Sequence, residues 1–253
     1  MPKKVMKIGV KASQSSYEIE RQVESTHWWF VVRRRLLKSL LVTAPLRPGR
    51  PALDVGCGVG SNLITIASSG FPVIGVDREI YALELTRQVF EFPLINGDLA
   101  RLPIRSGSIG LVVAMDVFEH LENDSDGIRS IYEALEKGGT LIFTVPAFGF
   151  LWGIQDEVTG HWRRYSKAAV LDRVKAEGFE VLRSSYFNFF LFLPILLARK
   201  VTRWLGLKIR SENEVNSPLI NAILKAIFSM EPYLLRALSF PFGVSIFCIA
   251  RKN

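Results

Sequence analysis

The chain has 253 residues, 49% hydrophobic and 22% charged, with two cysteines and three histidines. That length and composition suit one domain with additions and a large buried core, and a mean hydropathy of +0.21 is high for a soluble enzyme. Cys57 and Cys248 supply neither a disulfide framework nor metal-ligand spacing, so no metal is expected and a reducing cytosol is the default compartment.

The net charge of +8 is local: eleven Lys/Arg and only three acids lie in residues 1–50, while the remainder is balanced. One basic element facing one anionic surface or substrate is implied. Pro2 to Lys11 has no apolar core and does not read as a secretory signal. No apolar run reaches the ~18 residues of a spanning helix.

In chain order, residues 1–15 show no period. From Ser16 a helical pattern starts, and Trp29, Val32, Leu36 and Leu40 continue it. This N-terminal region, 1–48, reads either as a helix packed on the core with solvated arginines or as a basic lid. A short apolar strand follows at Ala52–Val55, then Gly56, Gly58 and Gly60, a helix over Ser61–Ser69 and a strand over Val73–Val76 ending at Asp77. This is a β-α-β unit with a glycine-rich first turn, the geometry that holds a nucleotide-like cofactor at strand carboxyl ends. The spacing is Gly-x-Gly-x-Gly, and the acid Asp54 precedes it. An acid there suits a cationic ligand better than a pyrophosphate. S-adenosylmethionine, with a sulfonium and an ammonium, meets that requirement, and Asp77 can accept from two ribose hydroxyls.

Further elements are a helix over Glu79–Phe90 and strands at Pro93–Asn96 and Ile109–Met115. A helix over Asp126–Leu135 is stopped by Lys137-Gly138-Gly139, before a strand over Thr140–Val145. Then come a helix over Lys167–Glu177 and strands at Phe179–Tyr186 and Gly243–Arg251. Asp98 follows the third strand, where it is either a turn residue or an acceptor for an adenine amino group. Asp116 sits at the tip of the fourth strand.

Four motifs in order, Asp54-Val-Gly-Cys-Gly-Val-Gly60, Gly75-Val-Asp77, Asn96-Gly-Asp98-Leu and Met115-Asp-Val-Phe-Glu-His120, resemble those of class I S-adenosylmethionine-dependent methyltransferases. The resemblance implies an α/β doubly wound, seven-stranded, mostly parallel sheet whose last strand is antiparallel. It implies a core over 49–186 plus 243–253, an N-terminal lid and an insertion over 187–242. It also implies S-adenosyl-L-methionine as cofactor, S-adenosyl-L-homocysteine as product, and an enzyme. The cofactor contacts implied are Asp54, Gly56, Cys57, Gly58, Gly60, Asp77, Arg78, Asp98, Leu99, Met115 and Asp116, with Trp29, Arg33 and Arg34 from the lid. Asp116 and His120 fall beside the methyl-transfer centre, although His120 is usually structural there. Cys57 reads as a small filler rather than a nucleophile.

The loop Ala147–Ser166 leaves the fifth strand above that centre and offers aromatic walls, acids and bases. Phe148, Trp152, Arg163, Arg164 and Tyr165 are substrate-binding candidates, and His161 is a candidate general base. The alternative is that His161 caps the helix starting near Ser166 and the arginines are solvated. The insertion carries an apolar run from Phe189 to Ala198 with Arg199, Lys200, Arg203, Trp204 and Lys208 after it. A polar loop over Ile209–Ser217 follows, then an apolar helical face from Leu219 to Met230. It reads as a helical cap, an interfacial element at the inner membrane face, a tunnel for a lipidic substrate, or a homodimer contact. The function expected is O-methylation of an amphipathic, lipid-linked or glycan acceptor. RNA methylation, disfavoured by the neutral core, and a cofactor-binding scaffold or assembly factor are the rivals.

Overall fold

The computed structural model describes residues 14–47, 49–205 and 217–253; Lys208, the loop over 209–216 and most of the stretch 1–15 lie outside them. Seven strands form one sheet in the order β3-β2-β1-β4-β5-β7-β6. β1 (Ala52–Val55), β2 (Val73–Asp77), β3 (Leu94–Asn96), β4 (Ile109–Met115) and β5 (Leu135–Pro146) run parallel. β7 (Ser245–Lys252) is antiparallel to both β5 and β6 (Phe179–Phe187). β4 is buried at every residue, as an apolar run in a sheet covered on both faces must be. The strand order reverses between β1 and β4, so a ligand crevice is expected outside their carboxyl ends.

The helices are α1 (Gln14–Val23), α2 (Trp28–Thr43), α3 (Ser61–Ala67), α4 (Ile80–Arg87), α5 (Asp124–Ala134), α6 (Ile154–Val158), α7 (Lys167–Ala176), α8 (Phe192–Trp204), α9 (Pro218–Ser229) and α10 (Glu231–Leu234). α2 packs on α3, α9 and α10, and its buried face includes Val32, Leu36, Leu37 and Leu40. The N-terminal helix is thus part of the core packing as well as a cover. His27 caps it, its Nδ1 accepting from Trp29 N at 3.3 Å. Burial pushes His27 down to about 4, which keeps that nitrogen an acceptor at neutral pH.

Two sequence readings are corrected. Lys137-Gly138-Gly139 does not stop the helix. α5 ends at Ala134, and these residues lie inside β5, where the register on β4 jumps from Ile109↔Leu135 to Leu111↔Thr140. Gly138, at φ +77, takes up the irregularity. The cap of α7 is Ser166, whose Oγ accepts from Ala169 N at 3.2 Å; His161 is engaged elsewhere.

Helices α8, α9 and α10 occupy the connection between β6 and β7. Glu231 anchors them: it is fully buried, and its Oε1 accepts from Phe190 N at 3.0 Å. Gly243 closes the return. A Cβ there would stand 2.3 Å from the Phe187 carbonyl oxygen, a backbone atom held by β6. Gly243→Ala is therefore expected to cost about 3 kcal/mol or more and to lower Tm by roughly 6–12 °C. Gly149→Ala, which meets nothing within 4 Å, is expected to leave thermal unfolding unchanged.

Candidate active site

A cavity of about 900 Å³ opens at the carboxyl ends of β1, β2 and β4, near the upper end of the ~300–1,000 Å³ usual for small-molecule sites. α1 and α2 cover one side, the loop after β5 another, and α8 and α9 the far end.

The glycine turn forms its floor. Gly56, Gly58 and Gly60 all have positive φ, which L-residues rarely adopt. A Cβ on Gly56 would meet Val117 at 2.8 Å and one on Gly60 would meet Thr86 at 2.6 Å, whereas Gly58 faces only Glu20 at 3.8 Å. Gly58 is thus the position open to a ligand. Gly60 lies outside the cavity lining and shapes the turn against α4, which corrects its placement as a contact. Cys57 lines the turn and is buried. Burial and the neighbouring Asp54 and Asp77 push its thiol far up, so it is an inert filler at neutral pH.

Carboxylates surround this end. Asp77 accepts from Gly58 N through Oδ2 and from Glu79 N through Oδ1, both at 2.9 Å. Burial nevertheless raises its pKa. Asp54 is fully buried, and neither oxygen has a hydrogen-bond partner among the described residues. Burial pushes it up to about 8, with Arg33 opposing and Asp77 adding. Asp98 lines the cavity with Leu99, while its Oδ1 accepts from Ala100 N at 2.9 Å, so it is also the turn residue. Arg78 lines the rim beside Glu79, 3.4 Å away.

At the tip of β4, Met115 and Asp116 line the cavity. Asp116 has φ +60, an unusual backbone state for a non-glycine residue and one that clusters at functional sites. It is held by Arg33 Nη1 at 2.6 Å and Thr144 Oγ1 at 3.0 Å. Arg34 bonds to the Glu24 carbonyl at 2.6 Å and still borders the cavity. Trp29 stacks on Phe187 and Phe228, with centroids 5.9 and 5.8 Å away.

The loop after β5 is partly ordered by α6. His161 Nδ1 lies 2.8 Å from Asp156 Oδ1, and Arg164 Nε lies 2.8 Å from the same oxygen. Burial of Asp156 opposes its ionisation, but His161, Arg164 and the Gly153 N–H hold it at about 2. His120 packs edge-on against His161, centroids 4.7 Å apart. Burial and then His161 push His120 down to about 3. His161, His120, Trp152 and Arg164 all line the cavity.

Three substrate candidates do not. Phe148 stacks between Phe150 and Tyr186. Tyr165 is buried with its hydroxyl donating to Asp124 at 2.7 Å. Arg163 pairs with Asp124 at 3.3 Å and bonds to the Glu122 carbonyl. Asp124, at the start of α5, turns Arg163 and Tyr165 away from the cavity and into the fold.

The sequence reading missed other lining residues. Tyr17, Glu20 and Glu24 come from α1; Asn188, a buried amide with no side-chain partner among the described residues, follows β6; Ile195, Ala198, Arg199 and Leu224 come from α8 and α9. No local signal marks them, because the packing of distant helices brings them in.

A doubly wound sheet with an acid-ringed glycine turn at its switch point defines a class I S-adenosylmethionine-dependent methyltransferase fold. Residues 53–143 match the methyltransferase domain family. A Mycolicibacterium smegmatis protein named a probable S-adenosylmethionine-dependent methyltransferase is 29% identical over 53% of this chain and 53% of its own. The ubiquinone biosynthesis O-methyltransferase of Marinobacter nauticus is 24% identical over 53% of this chain and 65% of its own. The chain therefore spans about half to two thirds of these proteins. Haemonchus contortus phosphoethanolamine N-methyltransferase 2, solved with S-adenosyl-L-methionine, superposes with TM-score 0.64 at 17% identity, over all of this chain and 61% of its own.

The residues present suit S-adenosylmethionine as cofactor. Asp54 is a buried, unpartnered carboxylate, and Gly58 leaves the floor open to close approach. Asp77 keeps acceptor sites beyond its two backbone bonds.

Proposed function

We propose that the protein is an S-adenosylmethionine-dependent O-methyltransferase of an amphipathic acceptor that it takes from the inner membrane face. The observation that carries this reading is the far end of the cavity. Ile195, Ala198, Arg199 and Thr202 of α8 and Ile220 and Leu224 of α9 line it, so it leads from the glycine turn to a mostly apolar gap between two helices that Arg199 also borders.

The outer surface of those helices supports the same reading. Leu193, Leu197, Val201 and Trp204 recur at helical spacing on α8 and are half exposed or more, and Leu219 and Ile223 are similarly exposed on α9. The one acid in the described part of this insertion, Glu231, is buried, while Lys200 and Arg236 are exposed. An exposed apolar face whose exposed charges are basic suits an anionic lipid surface. No helix among the described residues is long and apolar enough to cross a membrane. The Marinobacter relative, an O-methyltransferase of ubiquinone biosynthesis, agrees with an oxygen acceptor.

When bound, S-adenosylmethionine supplies a methyl group on a sulfonium and leaves as S-adenosylhomocysteine. Asp77 would hold the ribose hydroxyls, Asp54 would meet the positive charge, and Arg33 with Asp116 would cover the site. Trp29 excludes water. Asp156 fixes the tautomer of His161 by taking Nδ1–H, which leaves Nε2 to accept the proton of the acceptor hydroxyl.

Vesicles of membrane lipid extract with methyl-labelled S-adenosylmethionine test the proposal. Label is expected in the organic phase. The pair Leu197→Glu and Trp204→Glu is expected to reduce it at least about tenfold with cofactor affinity unchanged. Label found in bulk tRNA instead, or equal transfer by the paired variant, would overturn it.

A further inference from the structure

We propose that Glu119, His120 and His161 form a site for one zinc-type divalent cation, open on its cavity side to the acceptor. The three ligand-capable side chains meet because their backbones are tied. Glu119 and His120 lie on the single helical turn Phe118–His120 after β4. The segment carrying His161 is bonded to that turn, Trp162 N donating to Glu119 O at 2.8 Å. One donor atom from each residue falls within 4.8 Å of the others. His161 Nε2 stands 3.9 Å from Glu119 Oε1. Two donors each about 2.1 Å from one tetrahedral ion stand about 3.4 Å apart, so that pair would close by about half an ångström to share one.

The second observation is the state of Glu119. Its side chain is fully buried, and neither carboxylate oxygen has a hydrogen-bond partner among the described residues. A buried carboxylate in that condition is costly unless something pairs with it. Arg164 attracts it from nearby, but Asp116 and Asp156 repel it. A cation between Glu119 and the two imidazoles would satisfy it directly.

The third observation is the outer support. Asp156 Oδ1 lies 2.8 Å from His161 Nδ1, and Asp156 is itself held by Arg164 Nε at 2.8 Å and Gly153 N at 2.7 Å. A carboxylate on the far nitrogen of an imidazole is the arrangement that orients metal-binding histidines and raises their basicity. Two imidazoles and one carboxylate select zinc and its transition-metal neighbours over magnesium or calcium, which prefer oxygen. Spacing in the sequence gives no hint of this site, since its ligands come from two turns about forty residues apart.

All three ligands line the cavity, so at least one coordination position faces the acceptor. In this use the site deepens the proposed O-methylation and rests on it. With the cation bound, His161 Nε2 is a ligand and no longer the proton acceptor, and an acceptor hydroxyl beside the cation would release its proton to water instead. Its oxygen would then form the new bond to the methyl carbon, while the carbon–sulfur bond breaks with its electron pair going to sulfur.

The test is direct metal binding by the full chain after chelator treatment, using zinc in calorimetry and cobalt(II) in visible absorption. One ion per chain is expected. Glu119→Gln and His161→Gln are each expected to weaken zinc at least about 100-fold with S-adenosylhomocysteine affinity and Tm retained, and Asp156→Asn about 10–100-fold with Tm lowered, since it also takes a buried carboxylate from Arg164. Zinc bound by the parent and lost in Glu119→Gln supports the site whether or not methyl transfer to lipid is seen. No zinc binding by the parent chain, or equal binding by Glu119→Gln and His161→Gln, overturns it. Full transfer by chelator-treated protein overturns the cation's role and leaves O-methylation standing.

Discussion

Asp77→Ala is expected to weaken S-adenosylhomocysteine binding by about 100-fold or more in calorimetry. The carboxylate has two tasks. It ties the glycine turn to the end of β2 by accepting from Gly58 N and Glu79 N, and on the proposed reading its remaining lone pairs take the ribose hydroxyls. Hydrogen bonds to a charged group contribute about 1.5–3 kcal/mol each, so two lost ribose bonds correspond to roughly 3–6 kcal/mol, or two to four decades in Kd. Asp77→Asn separates the tasks. It keeps the shape and one acceptor oxygen, and it removes a charge whose burial is unfavourable. Because Gly58 N and Glu79 N bond to different oxygens, the amide satisfies only one of them, so Tm is expected to fall less than in the alanine variant and affinity by an intermediate amount. Affinity within threefold of the parent in the alanine variant would remove the ribose role.

The sequence is most legible where a strand ends in a residue with few alternatives. The bounds of β1 and β4 follow from apolar runs cut off by Gly56 and Asp116, and the seven-stranded order follows from the motif series they carry. Legibility fails where partner choice depends on tertiary neighbours. Arg163 and Arg164 are adjacent and chemically alike, yet Asp124 takes one and Asp156 the other, and only the second borders the cavity. Tyr165 reads as a substrate wall, but Asp124 claims its hydroxyl. The stop signal Lys137-Gly138-Gly139 fails because pairing with β4 outweighs local turn preference. The Glu119–His161–Asp156 grouping has no sequence signature, since it depends on one backbone bond between Trp162 and Glu119. The contribution of α1 to the cavity was hidden for the same reason: Tyr17, Glu20 and Glu24 are ordinary helix residues until α1 is placed over the glycine turn.

Cofactor affinity is expected to rise with pH between about 6 and 8, and stability of the free protein to fall over the same range, both through Asp54. Its carboxyl is pushed up to about 8 in the folded protein, mainly by burial, against about 3.9 when unfolded. Between those values the folded state holds a proton that the unfolded state has released. Stability from this group is therefore fully present below about pH 4 and is lost as pH rises through 8, by at most about 1.4 kcal/mol per pH unit. A cationic ligand beside Asp54 favours the carboxylate, so binding expels that proton. Affinity then gains up to about tenfold per pH unit below 8 and levels off above it. Asp54→Asn is expected to flatten both slopes in part, since burial pushes Glu20 up to about 7 in the same window, to raise Tm at pH 8 and to weaken the cofactor at every pH. Calorimetry in buffers of different ionisation enthalpy counts the protons: near one released at about pH 7 is expected, and none released with flat affinity would show that Asp54 does not meet the ligand's charge.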